Sequence, residues 1–262
     1  MQKTPGIPVR CFCFNTFVLM QKDWFSSWFD TPYYHILYKN RDHSEAAAFI
    51  DKISAFLNLK PGALCWDLCC GKGRHSIYLN QKGYRVIGTD LSSQSILIAS
   101  ASANDTLQFY RHDMRNLFRT NYFDVVFNLF TSFGYFEKKH DDLKVFHSVQ
   151  KSLLPGGLFV FDYLNSEVLR NEISQSEEKT EENITFRISK QISDNTVVKH
   201  IDFSDGGKNF HFEERVKLFD RAYFESLAEA CNLQILHVFG SYQLDEFKAN
   251  SSPRLILVMR KL

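Results

Sequence analysis

Between residues 63 and 163, short apolar runs alternate with segments of helical spacing, and this alternation decides most of what the chain can fold into. Residues 63–68, 84–89, 107–111, 123–129 and 158–163 read as strands. Helices are expected over 74–81, from Ser92 or Ser93 to about 103, and over 139–153. Gly83 closes the first helix in the usual C-terminal glycine position. The run Leu154-Pro155-Gly156-Gly157 closes the third. Residues 123–129 are almost continuously apolar, as a strand covered on both faces must be. Repeated strand–helix–strand units require a parallel sheet joined by right-handed crossovers. The pattern resumes late in the chain, with a helix over 221–231 and strands over 233–240 and 255–260. These last two strands are read as a hairpin that closes the sheet with an antiparallel strand. The expectation is an α/β chain with a seven-stranded sheet.

Other segments flank or interrupt that domain. Residues 167–183 carry many charges and amides, including Glu177-Glu178-Lys179-Thr180-Glu181-Glu182, and are expected to be a solvated loop. Apolar residues then recur with period two, in Ile184-Phe186-Ile188, Val197-Val198-Ile201-Phe203 and Phe210-Phe212-Val216, with Asn195 and Gly206-Gly207 between the runs. This spacing predicts an antiparallel meander. The α/β domain thus comprises residues 45–168 and 217–262, and the β-insertion residues 169–216. Ala47, Ile50, Ile53 and Leu57 have helical spacing, with Ser44 as the expected N-cap. Residues 20–44 form an aromatic arm containing Trp24, Trp28, Tyr33, Tyr34 and Tyr38, with Pro32 separating two helical pieces. Residues 1–19 lack the cleavage site of a signal peptide and are read as a disordered extension or a start-site artefact.

A net charge of +1 provides no field to recruit nucleic acid or an anionic membrane. No apolar run is long enough to span a bilayer. The six cysteines, Cys11, Cys13, Cys65, Cys69, Cys70 and Cys231, lack paired metal-site spacing, so no metal is expected and a reducing, cytoplasmic setting is. Phenylalanine, at 25 residues, predicts aromatic walls in core and pocket.

The first strand ends at Asp67 and runs into Cys69-Cys70-Gly71-Lys72-Gly73, a tight turn that opens a helix. Glycine lets backbone N–H groups approach a ligand closely, and the helix start presents unpaired donors to it. The second strand ends at Asp90, where a Rossmann-like unit holds ribose hydroxyls. Two ligand classes remain. A nicotinamide dinucleotide, and hence an NAD(P)-dependent oxidoreductase, calls for a third glycine, but Ser76 stands at that position. The closing hairpin also differs from a dinucleotide fold.

The order Asp67, Gly71, Gly73, Asp90, His112-Asp113-Met114, Asn128 through Tyr135 and Leu153-Leu154-Pro155-Gly156-Gly157 resembles the class I S-adenosylmethionine-dependent methyltransferases, over residues 44–262. Gly71-Lys72-Gly73-Arg74-His75, Thr131-Ser132-Phe133-Gly134-Tyr135 and Ser252-Pro253-Arg254 are similar to the bacterial small-molecule type. Cys69 departs from that family, standing where the first glycine is usual. The resemblance implies S-adenosylmethionine as cofactor, with Asp67, Cys69, Gly71 and Gly73 around its methionine end. It implies Asp90 on the ribose, Leu91 on adenine, and Asp113 with Met114 at the adenine edge. Asn128 then lies on the methyl-transfer face. Phe133, Tyr135, Arg215 and Tyr242 are the expected acceptor-pocket residues, and Tyr33, Tyr34 or Tyr38 with Arg41 would close over the methionine end.

The implied reaction is methyl transfer to nitrogen or oxygen of a small-molecule acceptor. No motif names a general base, and the Pro-Pro-Tyr signature of amide or nucleobase methylation is missing after Asn128. His147, in the middle of a helix, is read as structural. A non-catalytic cofactor binder on the same fold is the remaining alternative. The meander is expected to cover the acceptor pocket or to form a homodimer contact.

Overall fold

The computed structural model describes residues 24–39, 43–170 and 176–262. The leader over 1–19 and Arg41 lie outside the described residues. The arm contains α1 (Trp24–Trp28) and α2 (Pro32–Leu37), followed by α3 (His43–Phe56). Pro32 sits in the first turn of α2, where its missing N–H costs nothing, and the Thr31 side chain caps the helix by accepting from Tyr34 N. Ser44 falls inside α3 and not before it, because the helix already begins at His43.

The main domain continues as β1 (Leu64–Leu68), α4 (Arg74–Gln81), β2 (Arg85–Asp90), α5 (Ser93–Ser100), β3 (Leu107–Arg111), β4 (Phe123–Asn128), α6 (Lys139–Ser152), β5 (Leu153–Leu164) and α7 (Ser166–Arg170). The insertion follows as β6 (Ser176–Glu181), β7 (Ile184–Ser193), β8 (Thr196–Asp205) and β9 (Lys208–Lys217). The chain returns to the main domain with α8 (Arg221–Ala230), β10 (Leu233–Phe239) and β11 (Arg254–Lys261). The large sheet has the order β10-β11-β5-β4-β1-β2-β3. Its pairs are parallel except those of β11, which runs antiparallel to both β5 and β10. The expected seven strands and antiparallel last strand are both present.

Two apolar layers cover this sheet. On one face α3, α4 and α5 bring Phe49, Ile50, Ile53, Leu79 and Ala99 against Cys65, Val86, Val125 and Phe127. On the other, α6 and α8 bring Phe146, Val149, Phe224 and Leu227 against Trp66, Val126, Phe159 and Phe161. Phe133, Phe146, Phe161 and Phe224 meet mostly edge-on, the arrangement favoured by the ring quadrupole.

The insertion is a four-stranded antiparallel sheet in sequential order. Its three connections are two residues each, Glu182-Asn183, Asp194-Asn195 and Gly206-Gly207, all with positive φ. Such turns match the right-handed twist of the strands they join. The charged stretch expected to be a loop is in part α7 and the edge strand β6. An edge strand tolerates charge because one of its sides faces water. The inner face of this sheet, with Ile184, Phe186, Ile188, Ile201 and Phe203, packs on Trp28 and Leu37 of the arm. Arm and insertion thus share one core, which seats them together above the carboxyl ends of the parallel strands.

Candidate active site

At the end of β1, Asp67 is fully buried and accepts from the Ser76 hydroxyl of α4. Burial raises its carboxyl to about 6 despite the Ser76 hydrogen bonds that favour ionisation. The turn beyond it is tight. Cys69 has φ +66° and Gly73 φ +82°. A Cβ on Gly73 would lie 2.8 Å from the Phe109 ring, so only glycine fits there. Gly71, by contrast, faces open space, with nothing within 4 Å of where its Cβ would be. Its N–H donates to Asp90 Oδ2 at 2.9 Å, while Asp90 Oδ1 accepts from Ser92 N at 2.8 Å. Asp90 therefore ties the turn to the tip of β2. With Gly71, Ser92 and Leu91 as backbone donors, the carboxylate still has acceptor capacity for a diol hydroxyl. Burial pushes the Asp90 carboxyl up and these backbone donors oppose it.

A cavity of roughly 410 Å³ opens above this turn, lined at one end by Asp67, Cys69, Gly71, Asp90, Leu91, Asp113 and Met114. Met114 packs with its sulfur 3.5 Å from Cys69 Sγ. Burial holds the Cys69 and Cys70 thiols well above their ordinary range, so neither is a thiolate at neutral pH. Asp113 is gripped by Arg115 through both oxygens, at 2.7 to 3.1 Å. Burial would raise the Asp113 carboxyl, but the guanidinium and backbone donors of Arg115 win and lower it. Asn128, fully buried at the end of β4, donates to Leu68 O at 3.1 Å, and its Oδ1 has no hydrogen-bond partner among the described residues.

The other end of the cavity is aromatic. Trp24, Phe25, Phe29 and Tyr34 of the arm face Tyr135, and Trp24 meets Tyr135 edge-on at 5.6 Å. Polar groups at this end are His35, Tyr38, Lys39, Thr131, Ser132 and Glu214. Glu214 on β9 accepts from Trp28 Nε1 at 2.7 Å and Tyr38 OH at 2.8 Å, which fastens the arm to the insertion. Neither ring nitrogen of His35 has a hydrogen-bond partner among the described residues. Burial, aided by Lys72, lowers His35 to about 4, so its imidazole is neutral. Lys72, in the glycine turn, reaches His35 O at 3.4 Å. Asp30 pins the arm from the other side, accepting from Ser92 Oγ and Gln94 N at the start of α5.

The structure brings Asp67, Cys69, Gly71, Asp90, Leu91, Asp113, Met114 and Tyr135 to one cavity, with Gly73 and Asn128 directly behind its wall. Of the arm tyrosines expected over the methionine end, Tyr34 and Tyr38 also line the cavity, whereas Tyr33, Phe133, Arg215 and Tyr242 do not. Tyr33 packs on Phe203 and Phe210, and its hydroxyl donates to Asp205 at 2.9 Å, away from the cavity. Phe133 lies in the core with no exposed surface. Arg215 points to the outer face of β9 and pairs with Glu213, because successive residues of a strand alternate faces. Tyr242 sits behind the wall. It donates to Asp162 at 3.0 Å and stacks on Phe130. Asp162, fully buried, also accepts from Phe130 N at 2.7 Å and Arg254 Nε at 2.8 Å, and Arg254 donates to Thr131 Oγ1. This network holds Phe130 and Thr131, both at φ +59°, in a left-handed backbone that presents Thr131 and Ser132 to the cavity.

Glu214 and His35 were not singled out by sequence reading. For Glu214 a signal existed, since Phe212 and Val216 bracket it on the apolar face of an alternating strand. His35 had none beyond its place among tyrosines.

Residues 66–157 match the family described as "Methyltransferase domain". A Bacillus subtilis protein assigned as the methyltransferase YqeM is 36% identical over 105 residues, 38% of this chain and 42% of YqeM. The chain thus spans about two fifths of the length of the curated relatives it matches. Among solved structures, an S-adenosylmethionine-dependent methyltransferase from Clostridium acetobutylicum superposes with a TM-score of 0.73 at 21% identity, covering 87% of this chain and 96% of that one. S-adenosylmethionine-bound CalS10 of Micromonospora echinaspora, an amino pentose methyltransferase, gives 0.66 at 19% identity, over 86% and 93% of the two chains. Residues 66–157 thus match a methyltransferase domain, and the fold of the chain is that of S-adenosylmethionine-dependent methyltransferases. S-adenosylmethionine is the cofactor these findings support, and the open Gly71 cradle and Asp90 fit it.

Proposed function

We propose that this protein transfers a methyl group from S-adenosylmethionine to a small-molecule acceptor, with an amine favoured over a hydroxyl. The observation that carries this reading is the single cavity that joins the nucleotide turn to an aromatic chamber. Its volume lies in the range of small-molecule sites, and the arm roofs it. Bound there, the cofactor supplies an electrophilic methyl on a sulfonium. Asp90 would take the ribose diol, Asp113 and Met114 would flank the base, and the turn at Cys69–Gly71 would fit against the methionine portion. The chain's contribution to rate is then alignment and exclusion of water, terms that reach about 7–11 kcal/mol in well-oriented systems.

At the acceptor end, Glu214 and the neutral His35 are hydrogen-bond acceptors, which suits a substrate rich in N–H and O–H groups. An amine needs no base if it arrives unprotonated. His35 receives a hydrogen bond from its N–H and aims the nitrogen lone pair. The positive charge that develops on nitrogen lies among aromatic faces, which stabilise cations. The amino pentose methyltransferase among the structural neighbours is consistent with such an acceptor. Among the described residues four cysteines are free, three of them at or beside the cofactor turn, which suits a reducing cytoplasm. Among the described residues no helix is long and apolar enough to cross a membrane.

The test is a methyl-donor assay over a panel of amines, amino sugars and their hydroxyl counterparts, with mass detection of product. His35→Ala is expected to reduce kcat at least tenfold while changing cofactor affinity less than threefold. Absence of any methylated product, with S-adenosylmethionine still bound, would favour the non-catalytic binder. Binding of NAD in its place would sink the reading altogether.

A further inference from the structure

The outer face of the insertion, turned away from arm and cavity, carries a group of side chains that methyl transfer does not use. His200 of β8 lies directly opposite Glu213 of β9, and Asp202 lies opposite His211. Because strand residues alternate faces, all four project from the same side of the ladder. Glu213 Oε1 is 3.3 Å from His200 Nδ1 and 3.6 Å from His211 Nε2. Ligand atoms of His200, His211 and Glu213 all lie within 4.8 Å of one another.

A tetrahedral ion bound at 2.0–2.1 Å holds neighbouring ligand atoms roughly 3.3 Å apart. Two of the three separations lie near that value, and the third pair of ligand atoms is within 4.8 Å, with His211 exposed and His200 half-buried. The outer partners are also in place. His211 Nδ1 lies 2.8 Å from Asp202 Oδ1, a contact that orients the ring and turns its other nitrogen toward Glu213. The carboxylate–histidine–metal arrangement uses the same relay. His200 Nε2 lies 2.9 Å from the side-chain amide of Gln191 on β7. Arg215 binds Glu213 Oε2 at 2.6 Å, which leaves Oε1 as the oxygen directed at the histidines.

We propose that His200, His211 and Glu213 bind a divalent cation of the zinc class, with Asp202 and Gln191 as outer partners and water in the fourth position. Two imidazoles and one carboxylate select zinc and its borderline neighbours over magnesium or calcium, which prefer all-oxygen sites. The ion clamps β8 to β9. Its ligand Glu213 immediately precedes Glu214, which faces the cavity, so the clamp fixes the strand that carries the acceptor-end carboxylate. The site does not depend on methyl transfer being the reaction.

The experiment is titration of the metal-stripped full chain with Zn²⁺ by calorimetry and with Co²⁺ by visible absorption. One equivalent is expected, with the intense bands of a four-coordinate cobalt site lacking thiolate. His200→Ala and His211→Ala should each weaken binding at least tenfold, and Asp202→Asn roughly 10–100-fold, as loss of an outer partner does elsewhere. His211→Gln retains bulk on the exposed strand and should show the same loss without unfolding. Should wild type take up no equivalent, or should the His200→Ala/His211→Ala double variant bind it equally well, the four residues are only a surface ion-pair network and the proposal is overturned.

Discussion

Cys69 occupies a left-handed backbone conformation where the family it resembles usually has the first glycine of the turn. A side chain there costs on the order of 1–2 kcal/mol, less for a small one than for a β-branched one. Cys69→Val is therefore expected to lower unfolding free energy by at least about 1 kcal/mol. Cys69→Gly should change it by less than about 1 kcal/mol, because relief of strain is offset by the greater freedom of unfolded glycine. Urea titrations of the two variants decide this, and equal stability for both would show that Cys69 bears no strain. At the same scale, the residues legible in the sequence were those whose role lies in the turn and strand tips, such as Asp67, Gly71 and Asp90. Their spacing along the chain is already their arrangement in space. Arg215 and Glu214 are neighbours on β9, and because strand faces alternate only Glu214 reaches the cavity. Tyr242 was located near the site, but its partners Asp162 and Arg254 come from distant strands, and no local pattern reports such a meeting.

The arm is the element on which access to the cavity depends. Besides the contacts of Tyr33 with Asp205 and of Lys179 with Leu37 O, three holds come from Asp30, Lys72 and Glu214, on α5, the glycine turn and β9. Asp30 also places a carboxylate at the positive end of the α5 dipole. Asp30→Ala is expected to weaken one of these three holds by about 1–2 kcal/mol, so amide exchange over residues 24–39 should quicken roughly 5–30-fold. Exchange in β1 and β4 should stay as it was. Unchanged protection of the arm would mean that Asp30 only caps α5. Element by element, the strands of both sheets and most helices were readable from period and punctuation. The exceptions were α7 and β6, whose charges looked like those of a loop because an edge strand or an exposed helical turn and a solvated loop face the same water.

Across the whole molecule, stability depends on two buried carboxyls. Asp67 and Asp142 are each raised to about 6, chiefly by burial. Asp142 receives the Tyr223 hydroxyl at 2.7 Å, and its Oδ1 has no hydrogen-bond partner among the described residues. Unfolded, both titrate near 3.9. Between roughly pH 4 and 6 the folded chain therefore holds more protons than the unfolded one. These two groups make stability fall as pH rises through that window and remain lower above it. Asp142→Asn keeps an acceptor for Tyr223 without the charge. It is expected to flatten the slope between pH 4.5 and 6 and to add about 1–2 kcal/mol at pH 7.5. Denaturant midpoints at the two ends of the window test this, and a variant that follows the wild-type slope would refute it. The sheet order has a kinetic counterpart. The insertion is built from adjacent hairpins joined by two-residue turns, contacts that close within microseconds. The central β5, with Phe159, Phe161 and Tyr163 fully buried, waits for β11 from about 90 residues further on to cover its second edge. Until that pairing forms, an apolar edge stands open beside an already folded meander. Refolding yield should thus be limited by sticking between partly folded chains at β5, and not by the hairpins.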